Sequence, residues 1–411
     1  MGAGGEGFWR KSGVNRLKVS GLVLAMCAGQ LGSLLPHVVL PAVMVAHLVP
    51  LWDLSNAQAG LLAAAYPAGY MLAVPVLGAL TDRIDARHLL FWGSLVSGGA
   101  TIALAWLAQG PLTAMAFWAL AGIGFAGAYM PGLRALTDRL DPGDASRSVT
   151  LYTSSYSVGV GLSFLVSQLA ADHLGWRWAF VVTGLGPLVM ALVASRLVAK
   201  PPPPASGALL DFRPVLRNRP AMGYILSYGV HCFELYGMRT WLVAFWTYVA
   251  ARHGTASLLD PITVSVIVTV LAMPASIGGN ELSLRFGRHR AISVIQILSA
   301  CVALAIGLCA GASPGLLFVL VLLYALTVPA DSGSLTAGMS ASAQPQFKGA
   351  TMAMHSMVGF ALSALAGWLV GVALDAAGGM HQPQGWLAAF SVLAAGILLG
   401  PLALWWSRSG R

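Results

Sequence analysis

The chain has 411 residues, of which 57% are hydrophobic and only 9% charged, with a mean hydropathy of +0.76. A soluble globular domain carries about 25% charged residues, so this composition excludes one and points to a chain that crosses a membrane many times. The formal charge of +9 does not mark a nucleic-acid partner. All of the 23 basic residues except Arg177, Arg252 and Arg239 fall on one side of the apolar runs, as the positive-inside rule describes.

A spanning helix needs about 20 mainly apolar residues. Twelve runs meet that length: 19–49, 56–80, 89–108, 111–136, 148–171, 177–199, 220–250, 259–284, 291–310, 314–340, 348–374 and 384–407. The first follows the basic segment RKSGVNRLK and contains Pro36, His37 and Pro41. It is too long for the apolar core of a signal peptide and is expected to stay in the mature protein. The second run ends in GALTDRIDAR, residues 78–87, which places Gly78, Asp82, Arg83 and Arg87 in a short basic loop. The fourth reads FWALAGIGFAGAYMPG and closes on Arg134, taken as a topology anchor; the fifth contains SVGVGLSFLV, and GWRWAF opens the sixth. Residues 200–219, KPPPPASGALLDFRPVLRNR, form the one long break in hydrophobicity. Four consecutive prolines cannot continue a helix, so this segment reads as a linker with six spans on either side.

The seventh run carries GVHCFELYGMRTW, residues 229–241. Counting from Pro220, Glu234 lies about 21 Å along a helix, near mid-membrane. A charge at that depth costs at least roughly 2.5–3.5 kcal/mol, so such residues usually face a cavity and mark a pathway. His231, three residues earlier, shares a helix face with Glu234, and the two are expected to interact. Arg239 lies about 140° around the helix from Glu234, so its partner is expected on another span, in solvent or in a substrate. A structural network with Arg239 tied to backbone carbonyls is the alternative. By helix position His37 is the approximate counterpart of Arg239 in the first half. Either the two place cationic groups across a central cavity, or His37 is a packing residue.

In the tenth run Asp331 stands beside Pro329 in VPADSGS, where a helix break would expose backbone groups; it is the second candidate acid. Glu281 reads as structural. His355 sits among Met352, Met354 and Met357, but the spacing does not suit a copper site, and no metal site is expected. Cys27, Cys232, Cys301 and Cys309 all fall inside apolar runs without a CxxC spacing, so neither a disulfide framework nor a zinc site is indicated. No Walker loop or HExxH string occurs, and the GxSxG spelling of GASPG at 311–315 falls at the junction of two apolar runs rather than on a strand-to-helix turn. ATP-driven, metalloprotease and serine-hydrolase chemistry thus have no sequence support, and no cofactor is expected.

The halves repeat. TDRIDARHLL after the second run matches LRFGRHRAIS after the eighth, and RSVTLYTSSYS matches KGATMAMHSMV, at a separation of about 200 residues, a pattern found in secondary transporters. GALTDRIDAR resembles the G-x-L-x-D-R-x-G-R-[KR] signature of the major facilitator superfamily. With the twelve runs, the second copy GNELSLRFGRHR and GWRWAF, the resemblance covers nearly the whole chain. It implies an all-α membrane protein with twelve transmembrane helices in two pseudo-symmetric six-helix bundles, residues 1–199 and 220–411, joined by a cytoplasmic linker at 200–219. It also implies alternating access gated by Gly78, Asp82, Arg83 and Arg87, with Asp82 meeting the N-terminus of the eleventh span near Gly349, Ala350 and Thr351.

There are departures from the pattern. Asp85 occupies the signature's glycine position and Ala86 an arginine position, while Leu284 replaces the aspartate of the second copy, whose gate is expected to be weaker or differently built. Trp118 and Ala121 stand where many proton-coupled members place arginine and glutamine, and SVGVGLSFLV lacks the G-P-x-x-G-G of drug/proton antiporters.

The reading that results is a secondary transporter taking up a small organic or inorganic anion with protons. Arg239, His37 and His231 are the candidate substrate-binding residues, and Glu234 and Asp331 the candidate proton carriers. The alternatives are proton-driven efflux of a metabolite or drug, and a membrane sensor or scaffold that moves nothing. The expected location is the plasma membrane, the inner membrane in a bacterium, with both termini cytoplasmic.

Overall fold

The computed structural model describes residues 21–140, 145–202, 211–254, 259–344 and 347–408. Arg10, Lys11, Arg16, Lys18, Arg411, residues 19–20 of the first expected span and residues 203–210 of the linker lie outside the described residues, as does the side chain of Arg147. Among the described residues there is no strand.

The long helices follow the apolar runs. They are α1 (Gly21–Leu34 and Val39–Trp52), α2 (Asn56–Leu80), α3 (Ala86–Leu107), α4 (Pro111–Thr137), α5 (Ala145–Leu174), α6 (Trp176–Arg196), α7 (Arg219–His253), α8 (Pro261–Phe286), α9 (Arg288–Leu308), α10 (Pro314–Ser342), α11 (Lys348–Ala376) and α12 (Pro383–Arg408). Among the described residues nine are long and apolar enough to cross a membrane, and the bent pair in α1 makes a tenth. The remaining two, α5 and α7, reach 30 and 35 residues and carry more polar side chains than the others. Together, among the described residues, they make twelve long helices, consistent with the number expected.

Start signals match the sequence. Ser55 and Gln58 form a capping box at α2, Asp260 accepts from the amides of Ile262 and Thr263 at α8, and Asn218 accepts from Ala221 at α7. Each satisfies amides that a first helical turn leaves unpaired. At Gly69 and Gly122 neighbouring helices approach too closely for a side chain, while Leu72, Trp92, Leu192, Val294 and Leu402 are exposed on the outside. That distribution suits a lipid surround, where close packing of small side chains replaces the aqueous hydrophobic drive.

Two helices are broken, and the breaks position the site. The first span, expected as one run over 19–49, bends by 41° between its two segments. Pro36 and Pro41 lack the N–H needed to continue the ladder. Ser163 of α5 repairs the gap, donating to the Leu35 carbonyl and accepting from the Val38 amide. Such repair is required where water cannot reach the backbone. His37 projects from this break. In α10 the segment Val328–Asp331 tightens into a 3-10 turn around Pro329 and presents Asp331.

Helix α4 packs on α2 and α3, and α3 on α6; after the linker, α7 packs on α11 and α12, and α9 on α12. The most extensive contact of all, α2 with α11, joins helices from opposite sides of the linker. It is closest at the end away from the linker. A side chain at Gly60 would meet the Gly367 carbonyl, and one at Gly371 would meet that of Asn56. There Asp375 accepts from the Asn56 amide at 3.0 Å, the Ala57 amide at 2.7 Å and the Asn56 side chain at 2.7 Å.

Candidate functional site

Between the two halves lies a pocket of about 30 Å³, lined by His37, Ala63, Tyr66, Trp118, Tyr236, Arg239 and Ser363 among others. This volume admits a water or two and nothing larger. His37 and Arg239, linked only by helix position in the sequence, therefore share one cavity. His37 Nε2 lies 2.9 Å from the Tyr156 hydroxyl, which is 2.7 Å from the Tyr236 hydroxyl. Rings of Tyr66, Phe125, Tyr156 and Tyr236 surround the imidazole at centroid distances of 5.4–5.8 Å.

Arg239 is 6% exposed, and its guanidinium carbon lies 5.6 Å from the Tyr236 ring centre, within cation–π range. Its Nη1 is buried and meets no hydrogen-bond acceptor among the described residues. No acidic side chain among the described residues lines the pocket. Trp118 Nε1 and His37 Nδ1 are likewise buried without a partner. Guanidinium and indole N–H groups only donate, so the pocket offers donors that lack an acceptor.

The acids belong to a separate network inside the second half. Glu234 Oε1 accepts from Ser299 at 2.8 Å and from Tyr324 at 3.0 Å, while Oε2 has no partner among the described residues. The expected contact between His231 and Glu234 does not form. His231 Nδ1 instead meets Asp331 Oδ1 at 2.6 Å, because the broken α10 brings Asp331 to α7. Gln296 of α9 donates to Asp331 Oδ2 at 2.7 Å and lies 3.1 Å from the Ser227 hydroxyl. Gln296 and Ser299, one helical turn apart, thus each hold one acid. Tyr228 stacks on His231 and on His355, with centroids 5.6 and 3.7 Å away. No group of three or more potential metal-ligating side chains occurs among the described residues.

At the linker end a cavity of about 600 Å³ opens between α2, α4, the linker and the start of α11, with Gly78, Asp82, Arg134, Phe212, Gly349 and Ser356 on its walls. Asp82 is 54% exposed, its Oδ1 lies 3.3 Å from Arg134, and a Cβ placed on Gly349 would be 3.9 Å from its other oxygen. Arg134 also contacts Asp138 at 2.8 Å, so it is more than the topology anchor expected. Arg83 lies exposed on the loop between α2 and α3, and Gly78 has open space beside it. Arg87 turns to the Leu197 carbonyl at 2.9 Å.

Sequence reasoning missed Asp85, which it noted only as a departure. The side chain caps α3 through the Arg87 amide, takes two bonds from Arg139 at 2.8 and 2.9 Å, and accepts from the Lys200 amide at 2.6 Å. Burial alone would raise its pKa, but these donors outweigh burial and hold the carboxyl below its ordinary 3.8. The signal available was an aspartate directly before a helix, an N-cap pattern.

The sequence profile of the Major Facilitator Superfamily matches residues 21–367. Protein spinster homolog 1 of Rattus norvegicus is 26% identical over 211 residues, covering 48% of this chain and 38% of that protein. The chain thus spans well under half the length of this relative. The 4-hydroxybenzoate transporter PcaK of Acinetobacter baylyi is 29% identical over 34% of this chain and 31% of its own length. Among solved structures, a bacterial homologue of the human lysosomal transporter spinster, inward-facing and unoccupied, superposes with a TM-score of 0.71 at 17% identity, covering 94% of this chain and 95% of its own.

Proposed function

The chain belongs to the Major Facilitator Superfamily, and from that premise we propose that it takes up a small organic or inorganic anion together with protons. In this reading residues 1–199 and 220–411 act as two bundles that rock about the linker and expose one central site to each side of the plasma membrane in turn. The linker and both termini face the cytoplasm, so the 600 Å³ cavity is the cytoplasmic vestibule.

One observation carries the proposal: a buried guanidinium with an unpartnered Nη1 in a pocket that has no acid among the described residues. Leaving a charge buried and unpaired is strongly destabilising, and a transient oxyanion relieves it. Arg239 is the anion-binding residue, since its planar fork suits a carboxylate or similar group, and His37 supplies a second donor. The name of the PcaK relative, which contains an organic anion, is consistent with this class. Glu234 and the His231–Asp331 pair carry the protons, because buried acids held by neutral hydroxyl and amide donors can change charge without breaking the packing around them. Gly78, Asp82, Arg83 and Arg87 gate the cytoplasmic end.

The test is purified protein in liposomes, assayed for proton movement against a panel of carboxylates, nitrate-like anions and hydrophobic cations. Proton-linked anion uptake supports the proposal. Movement of cations in exchange for protons replaces it with efflux, and movement of nothing under any gradient replaces it with a sensor or scaffold.

A further inference from the structure

The central pocket and the open vestibule do not connect, and the residues between them are few. On α2 the pocket is lined by Ala63, Ala64, Tyr66 and Pro67, and the vestibule by Val74, Pro75 and Gly78. On α11 the vestibule takes residues up to Ser356, and the pocket begins at Ser363. Tyr70 and Phe360 fall in the two gaps, one from each half of the chain. Their rings stack at 3.8 Å between centroids with 23° between planes, and both are buried. Phe360 also touches Tyr236 of the pocket at 5.6 Å, and Tyr70 touches Phe125 at 5.7 Å. The Tyr70 hydroxyl is buried without a partner among the described residues.

We propose that Tyr70 and Phe360 form a ring gate between the vestibule and the Arg239 pocket, and that it favours flat, ring-bearing anions over puckered or chain-like ones of equal size. The selectivity part rests on the anion reading above; the gate itself does not. Any solute entering from the vestibule must part the two rings, which exposes two aromatic faces. A flat aromatic ring sliding between them stacks on both faces and offsets that loss. A saturated ring is too thick and irregular to do so. Aromatic pairs gain from offset stacking beyond their buried area, so the preference is set at the gate, while the charge is read by Arg239 further in.

The experiment separates the two parts. Ser363→Cys places a thiol in the pocket and Ser356→Cys places one in the vestibule, each labelled with a methanethiosulfonate reagent and compared with the parent protein. Tyr70→Ala and, independently, Phe360→Ala should speed labelling at position 363 by roughly three- to tenfold, the size of one lost stacking contact, and leave position 356 unchanged. Tyr70→Phe, which keeps the ring, should label like the parent. Unchanged labelling at 363 in both alanine variants, or equal acceleration at 356, overturns the gate. Benzoate should then protect position 363 several-fold better than cyclohexanecarboxylate does, and the difference should shrink in Phe360→Ala. Equal protection, or none by either, overturns the selectivity. If no anion on the wider panel binds while the labelling pattern holds, the anion reading fails and the gate stands.

Discussion

Arg239 and Glu234 lie five residues apart on α7 yet face different company. Arg239 looks toward the first half and its rings, Glu234 toward Ser299 and Tyr324 within the second. Their roles separate by mutation accordingly. Arg239→Lys keeps the charge but loses the fork, and should weaken anion binding by about 1.5–3 kcal/mol, the worth of a hydrogen bond to a charged group. Arg239→Ala should abolish it. A thermal-shift titration against the anion panel reads both; unchanged affinity in a folded alanine variant removes the residue from the site. Glu234→Gln retains an acceptor for Ser299 and Tyr324 but cannot ionise. Uphill transport should lose its pH dependence while exchange of substrate across the membrane continues. Wild-type pH dependence in that variant moves the proton role to the His231–Asp331 pair.

Elements are joined here by side chains acting on backbone. Ser163 of α5 bridges the break in α1, and Asp85 ties the start of α3 to the end of α4 and to the residues following α6. Asp85 is the stronger case, because it is nearly buried and partnered by Arg139. Removing one member of such a pair leaves the other uncompensated, so Asp85→Asn should cost about 3 kcal/mol. The sign of the pH effect follows from its lowered pKa. The unfolded chain takes up the proton first as pH falls, so the stabilisation is complete above the ordinary value of 3.8 and drains away as pH drops through the lower folded value. Thermal unfolding in detergent should show wild type losing its advantage over the variant below about pH 4, and a constant gap across that range would count against the assignment. Sequence periodicity located both elements joined by this aspartate. It could not show the join, because Asp85 and Lys200 are 115 positions apart.

At the scale of the whole molecule the two ends differ. The end away from the linker is sealed by α2 against α11, with small residues in close contact and Asp375 capping the first turn of α2; the linker end stands open. The Asp375 cap is made between halves, so it stabilises this state and is absent from any state in which the far end parts. Loss of an N-terminal cap costs about 1 kcal/mol, which is about fivefold in a two-state population. Asp375→Ala should therefore raise the far-end-open fraction by about that factor, read as longer distances between spin labels at the exposed positions Leu51 and Gln382. An unchanged distribution would show that Gly60 and Gly371 packing alone sets the balance.

The sequence by itself determined the order of the described spans, the family resemblance and the anomalous polarity of the seventh span. All of these depend on local hydrophobicity or on a contiguous string, and a bilayer enforces both by excluding unpaired backbone and charge. Only the tertiary structure decided the partners. It paired His231 with Asp331 where the helix face had suggested Glu234, put His37 and Arg239 in one pocket, and placed Tyr70 on Phe360 and Asp375 on α2. Each of these contacts joins residues about 100 or more positions apart on different helices. Their geometry turns on two proline breaks and on which small residues let helices approach, and a linear pattern carries no record of either.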